Sequence, residues 1–363
     1  MMTAVRERNL HSAVSKLGMA IFWLAAGLPL MLALTLLVTL ATLTPARADD
    51  DTACRGKNLM AELQKSDPAK YADVMAEGDR IANGRSIFWK IEKPGIRPSW
   101  LLGTMHVTDP RVLTMPRGAT EADKAADTII VESDEILDEK KASIAILARP
   151  DLTMIANGAT ISSLLSADEN AKLAAGLAAR NIPLAAVSHM APWMISSAVA
   201  LPACEIARKA KGAQFLDQKI AVEAAAAGKQ VKGLETIVDQ LQAMADLPVK
   251  FHLKSLIETL QLGNKMNDVI ETMTDLYLSG NAGVTMPMMK AVTPDGNDPD
   301  GDSDYATFEQ RIILDRNRVM AERAAPILAD GNVFMAVGAL HLSGGQGLVE
   351  LFRKQGFTVT AVD

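Results

Sequence analysis

The chain has 363 residues, a formal net charge of −6 and 49% hydrophobic residues. That length suffices for one large core or two coupled subdomains. The acidic balance excludes nucleic acid as a natural partner, because a phosphate backbone needs a basic footprint.

The apolar content is concentrated first at the N-terminus. Arg6, Arg8 and Lys16 precede an uncharged stretch from Leu17 to Pro45; Ala46-Arg47-Ala48 and three aspartates follow. Basic residues, an apolar run and a small-x-small site predict an export signal over residues 1–48, cleaved after Ala48. The destination is then periplasmic or extracellular. The run is also long enough to span a bilayer, so an uncleaved inner-membrane tether facing the periplasm is the alternative. Removing residues 1–48 takes away Arg6, Arg8, Lys16, Arg47 and Glu7, a net +3, and leaves −9. Only Cys54 and Cys204 occur. In an oxidising compartment an even pair predicts a disulfide; two buried thiols are the other reading.

Residues 49–84 are expected as a helical leader, with apolar residues at helical spacing in Leu59–Leu63 and Tyr71–Met75. Ser86–Ile91 alternates like a strand, Lys93–Pro98 is a turn cluster and Ser99–Leu102 is the partner strand, which together predict a hairpin. A polar helix over 120–126 leads to a buried strand, Thr128–Val131. Residues 136–290 read as mostly helical, an insertion interrupted by one short strand that ends near Glu235. Thr293–Asp304 is a Pro/Gly/Asp loop whose acids do not sit at EF-hand positions. A helix over 308–328, a strand over 333–337, a helix over 348–355 and a strand over 358–362 complete the chain.

The sharpest signal is a short unit that occurs twice. Trp100-Leu101-Leu102 runs into Gly103-Thr104-Met105-His106, and Val333–Val337 runs into Gly338-Ala339-Leu340-His341. Each reads as a buried strand ending in Gly, then a turn presenting a His. Strand tips are where α/β folds place ligand-binding residues, and Gly lets backbone approach closely. Two imidazoles so delivered could bind one metal or share one acid/base reaction; capping of strand ends is the plain alternative. Glu132 ends the Thr128–Val131 strand and is the third candidate, as metal ligand, imidazole orienter or general base. Asp134 would point the same way if that strand continued. Asp109 and Glu235 read as turn or surface acids, and Asp217 as a helix cap. Arg316 and Asn317 lie on the helix before the second unit and are candidate supports. His189 and Trp193 read as packing, and the mid-chain methionines as core filler or a plastic groove. Gly344-Gly345-Gln346-Gly347 reads as a tight turn. The sequence contains no HExxH, G-x-S-x-G, Walker or dinucleotide signature.

Over residues 84–363 the chain resembles the TraB/GumN family, relatives of the Tiki metalloproteases and of an erythromycin-esterase/ChaN-like superfamily. The resemblance is carried by Phe88-Trp89-Lys90-Ile91, Trp100–His106, Val131-Glu132-Ser133-Asp134, Gly233-Leu234-Glu235-Thr236, Arg316-Asn317, and Val337–Leu342 with Gly347-Leu348. It implies an α/β (α+β) fold over 85–363. A pseudo-symmetric central sheet would bring paired Gly-x-x-His motifs around one cleft, with a large helical insertion at about 136–290. It further implies a site of His106, Glu132 and His341, supported by Gly103, Gly338, Arg316 and Asn317.

Three functions follow as expectations. The first is a hydrolase, a peptidase above all, in which His106, Glu132 and His341 hold Mn²⁺, Co²⁺ or Zn²⁺ and leave an open position for substrate. The second is a non-catalytic envelope protein that binds peptide or polysaccharide. The third is a metal-free hydrolase built on His and Glu132. The sequence leaves the oligomeric state open.

Overall fold

The computed structural model describes residues 54, 56–292 and 305–362. The expected signal or anchor and the 293–304 loop lie outside the described residues.

The leader forms two helices, α1 (Leu59–Ser66) and α2 (Pro68–Asp79). Asn58 and Asp67 cap them by accepting the backbone N–H groups of Ala61 and Lys70, which satisfies donors that a helix start leaves free. The hairpin follows as expected, β1 (Phe88–Lys93) and β2 (Ile96–Thr104), with Trp89 opposite Leu101. Helix α3 (Arg117–Ala125) precedes β3 (Thr128–Val131).

The middle region is helical. It contains α4 (Glu139–Leu147), α5 (Ala167–Ala178), α6 (Pro192–Val199), α7 (Ala203–Ala210), α8 (Leu216–Ala226), α9 (Ile237–Ala245), α10 (Val249–Leu262), α11 (Lys265–Leu278) and α12 (Thr285–Val292). The single interruption is β4 (Gln230–Gly233). The helix expected over 308–328 is not uniform: Glu309–Leu314 is a π-helical turn that feeds α13 (Asp315–Leu328). Then come β5 (Val333–Gly338), α14 (Leu348–Lys354) and β6 (Thr358–Ala361).

The six strands form one mixed sheet in the order β4-β3-β5-β2-β1-β6. β4, β3, β5 and β2 run parallel, and β1 is antiparallel to both β2 and β6. Both faces of the parallel part are covered, which explains why β3 and β5 are apolar without alternation. Ile130, Met335 and Val337 face α13 and α14, whereas Ile129, Phe334 and Ala336 face α3 and α8. Phe334 and Ile130 are fully buried, each contributing roughly 1.5–3 kcal/mol of hydrophobic stabilisation.

The helical insertion has its own core, with Leu173, Leu177, Trp193, Met194 and Leu256 at its centre. The leader packs against the end of this insertion, where Met60 and Val74 meet Leu276, Val284 and Met288. Cys54 and Cys204 form a disulfide across 150 residues; the pair expected from the cysteine count thus fastens the leader to α7.

The two Gly-x-x-His units stand on neighbouring parallel strands, β2 and β5, staggered by one residue: Gly103 pairs with Val337 and Thr104 with Gly338. Because side chains alternate faces along a strand, a one-residue stagger puts equivalent strand positions of the two units on opposite faces of the sheet, as with Leu102 and Val337.

Candidate functional site

The parallel register brings three adjacent strand ends to one edge of the sheet. β2 delivers His106, β3 delivers Glu132 and β5 delivers His341, all beyond the C-terminal ends of their strands. Position outside the carboxyl ends of parallel strands is the usual location of ligand sites in α/β sheets.

Glu132 is the hub. Its Oε1 accepts the Gly338 backbone N–H at 2.8 Å. Its Oε2 accepts Arg316 Nη2 at 2.7 Å and Gln240 Nε2 at 3.1 Å. His341 Nε2 stands 3.7 Å and His106 Nε2 4.0 Å from Oε1. Burial opposes ionisation of Glu132. Arg316, His341, His106 and the Gly338 N–H outweigh it, and together they hold the carboxyl well below its usual range.

Both glycines of the repeated unit are there for close approach. A Cβ on Gly338 would lie 3.1 Å from Glu132 Oε1, and one on Gly103 would lie 3.0 Å from Ala339 Cα and Leu342 Cδ2. Any larger residue would push the carboxylate off the Gly338 N–H or part the two units.

The second histidine is fixed by Asn317. His341 Nδ1 is 2.7 Å from Asn317 Oδ1, and Asn317 Nδ2 donates to the Gln346 carbonyl at 3.0 Å. That carbonyl can only accept, so the amide must present its oxygen to His341. The imidazole therefore carries its proton on Nδ1 and turns a lone pair on Nε2 toward Glu132. Burial pushes the His341 pKa down to about 4, which keeps the ring neutral.

The first histidine is held differently. His106 Nε2 lies 3.5 Å from Asp217 Oδ1, and Thr104 Oγ1, from the same Gly-x-x-His unit, donates to that oxygen at 2.7 Å. Desolvation opposes protonation of His106, but the negative charges of Asp217 and Glu132 prevail and push its pKa up to about 9. The loop after it is tied down by Glu205 Oε2, which accepts both the N–H and the hydroxyl of Thr108 at 2.8 Å.

Arg316 lies half-buried between two carboxylates. Its Nε and Nη2 donate to Glu235 as well as to Glu132, and Nη1 donates to the Ile312 carbonyl at 3.2 Å within the π-helical turn. Every arm of the guanidinium is thereby engaged, so it positions Glu132 and is not free for a substrate oxyanion. Glu132 and Glu235 share this cation yet shift oppositely. Burial and the neighbouring Glu132 push Glu235 up, whereas Glu132 has the histidines and a backbone N–H besides.

Several sequence expectations are corrected here. Asp217 is not a helix cap: it lies inside α8, is 3% exposed and joins the site through Thr104 and His106. Glu235 is not a turn acid but a buried partner of Arg316. Asp134 does not follow Glu132, because β3 ends at Val131 and Asp134 opens a 3₁₀ turn in solvent. Asp109 pairs with Arg111 outside the cluster. Trp193 is buried and bonds the Leu152 carbonyl, as a packing residue does, whereas His189, which bonds the Ala159 carbonyl, is exposed. The missed residue, Asp217, did leave a trace. Leu216, Asp217, Ile220, Ala221 and Ala224 share one buried stripe of α8, and an acid on an apolar stripe needs a partner. Asn317 sits likewise on the buried stripe of α13 with Met320, Ala321 and Ala324.

Above these groups lies a cleft of about 270 Å³. Its polar floor is Thr104, His106, Glu132, Arg316 and His341, and its walls are chiefly apolar, with Met105, Met273, Phe308, Ile312 and Leu340. Tyr277 also lines it and donates its hydroxyl to the Gly103 carbonyl at 2.9 Å.

Among the described residues no group of three or more His, Cys, Asp or Glu side chains is spaced to hold a metal ion as it stands. Metal–ligand bonds of about 2.0–2.2 Å place neighbouring donors roughly 3–3.5 Å apart. The gaps of 3.7 and 4.0 Å around Glu132 Oε1 are wider by up to about half an ångström on that scale. The donor chemistry nevertheless fits a divalent cation. Two imidazole nitrogens and a carboxylate oxygen converge, His341 has the outer hydrogen bond that metal-bearing histidines need, and Asp217 Oδ2 is buried without a hydrogen-bond partner.

A family model, the TraB/PrgY/gumN family, matches residues 87–361. The chain belongs to the TraB/PrgY/gumN family. It is also similar to Metalloprotease TIKI2 of Danio rerio, 22% identical over 326 residues, covering 76% of this chain. The chain spans 60% of the length of that relative. No solved structure matches it.

Proposed function

We propose that this chain is an exported, divalent-metal-dependent hydrolase that acts on peptide bonds. The observation that carries the reading is the convergence of the two repeated units: both Nε2 atoms approach one oxygen, Glu132 Oε1, at 3.7 and 4.0 Å. The distant relation to a metalloprotease supports a metal and a peptide substrate. The apolar walls of the cleft also favour peptide over polysaccharide, since a sugar chain needs many hydrogen-bonding partners and finds few there.

His106, Glu132 and His341 would hold the cation. When bound, it polarises a substrate carbonyl and makes water acidic enough to react near neutrality. The protein side of the chemistry follows from the contacts above. His341 offers a neutral ring with its Nε2 lone pair already aimed. Glu132, held ionised by Arg316, is a better ligand than base, because a strongly lowered pKa makes a carboxylate a poor proton acceptor. Before a cation binds, Asp217 faces His106 Nε2 and offsets the charge of its imidazolium.

One observation favours a metal-free variant of the same reaction. The His106–Asp217 pair at 3.5 Å is an imidazole oriented by a carboxylate, the arrangement that general acid–base catalysis uses.

The deciding experiment measures metal content, and hydrolysis of a peptide library with added Mn²⁺, Co²⁺ or Zn²⁺, for wild type beside His106→Ala/His341→Ala. Near-stoichiometric metal and chelator-sensitive cleavage, both lost in the double variant, are expected. Cleavage that survives chelation moves the assignment to the His106–Asp217 pair. Peptide binding with no cleavage under any condition would make the protein a binding component of the envelope and refute the hydrolase.

A further inference from the structure

A second cavity, of about 400 Å³, adjoins the first and shares with it Ala282, Ile313 and Leu340. One wall is made by Arg80, Ile81 and Ala82 of the leader together with the turn at Ser343–Gln346. The two pieces form one surface because Gly344 N–H donates to the Ala82 carbonyl at 2.7 Å. Glu309, one helical turn before Ile313, lies on the π-helical side. Arg80 and Glu309 are both exposed, and among the described residues neither side chain has an ion-pair or hydrogen-bond partner.

We infer that the two cavities form one groove for an extended polypeptide. An apolar side chain sits in the catalytic cleft, and the flanking residues place an acid on Arg80 and a base on Glu309. This inference rests on the peptide-hydrolase reading and adds to it a subsite and a substrate pattern. The two cavities meet at Ala282, Ile313 and Leu340, so a ligand that occupies both must be a chain. The near wall beside His106 and His341 is apolar and can take a Leu, Met or Phe side chain. The far cavity exposes one unpaired charge of each sign, complementary to a segment that carries both signs close together. The leader wall lies outside residues 87–361, whereas Glu309 and the Ser343–Gln346 turn lie inside them, so the subsite joins this chain's N-terminal segment to the matched family region.

The test uses the full chain and fluorescein-labelled peptides that differ only beside a single Phe, with Glu and Lys, Glu and Gln, Gln and Lys, or Gln and Gln as neighbours, in both orders. Binding is read by fluorescence polarisation in chelator, so that no turnover is needed, and cleavage is read separately with added metal. The Glu/Lys peptide is expected to bind roughly 3- to 10-fold tighter than the Gln/Gln peptide, the scale of exposed charge-assisted contacts. Arg80→Glu should erase the gain from Glu alone, and Glu309→Lys the gain from Lys alone. Equal binding of all the peptides, no binding of any, or loss of neither preference in the variants overturns the groove. Peptides bound with this pattern but never cleaved would instead leave the groove standing and remove the hydrolase.

Discussion

The two Gly-x-x-His units share a sequence pattern and occupy neighbouring strands, yet they end in opposite electrostatic states. His341 has only 7% of its side chain exposed, bonds a neutral amide, and has its pKa pushed down to about 4. His106 has 47% exposed, faces Asp217, and has its pKa pushed up to about 9. At neutral pH one ring is a fixed neutral donor and the other an imidazolium at the rim. The difference arises outside the repeat itself: burial, with the charge of Arg316 on α13, lowers the His341 pKa, and Asp217 on α8 raises that of His106. Repetition of a motif therefore repeats a backbone shape, and the helices packed over each copy decide its charge.

The largest expected effect tests that asymmetry directly. His341→Ala should abolish metal binding, whereas Asn317→Ala, which leaves the ring but frees its tautomer, should weaken it about 10–100-fold. Calorimetric titration with Mn²⁺ and Zn²⁺ measures both. Equal affinities for wild type and Asn317→Ala would break the claim that the second unit is the pre-set one.

Stability is the next scale. Arg316→Met leaves Glu132 and Glu235 buried without their shared cation and should cost about 3–5 kcal/mol in denaturant unfolding. A loss under about 1 kcal/mol would mean the carboxylates find other partners, and that Glu132 is not pinned beneath His341.

A finer test separates the histidines by titration. In the metal-free protein, histidine NMR should show one ring titrating near 9 and another near 4. Asp217→Asn should bring the upper value down toward the ordinary 6.5 while leaving the lower one in place. Metal uptake should also release a proton below pH 9, because His106 must be neutral to ligate. An unshifted His106 in Asp217→Asn would sink the pairing.

The smallest effect is the shape of the pH–stability curve. The His341 pKa is depressed in the folded state, so its contribution is intact above 6.5 and is lost as pH falls through about 4. Glu132 adds to that acid loss, below its unfolded value near 4.5. The His106 pKa is raised, so its contribution is full below 6.5 and is lost as pH rises through about 9. Half-exposure makes the alkaline loss the shallower of the two. His341→Gln should flatten the acid limb alone; a change on the alkaline limb instead would reverse the assignment of the two rings.

Much of this was legible in the chain. Apolar runs marked β3 and β5, Gly and Pro marked the hairpin turn, and a Gly at the end of an apolar run marked each strand tip; only the fold shows that Gly103 and Gly338 must be small, against Ala339, Leu342 and Glu132. Those features depend on periodicity and on backbone sterics, which act over a few residues, so the sequence by itself determined the strands, their tips and the three residues His106, Glu132 and His341 that stand there. It could also mark Asp217 and Asn317 as polar residues on apolar stripes, but not say what they touch. Tertiary structure alone decided that β5 inserts between β2 and β3, that the register is staggered by one residue, and that α8 and α13 bring an acid to one histidine and an amide to the other. Charge state follows from burial and from the charges of Arg316 and Asp217, 25 and 111 residues away in the chain, and partners at such separations are chosen by how whole elements pack, which no local pattern encodes.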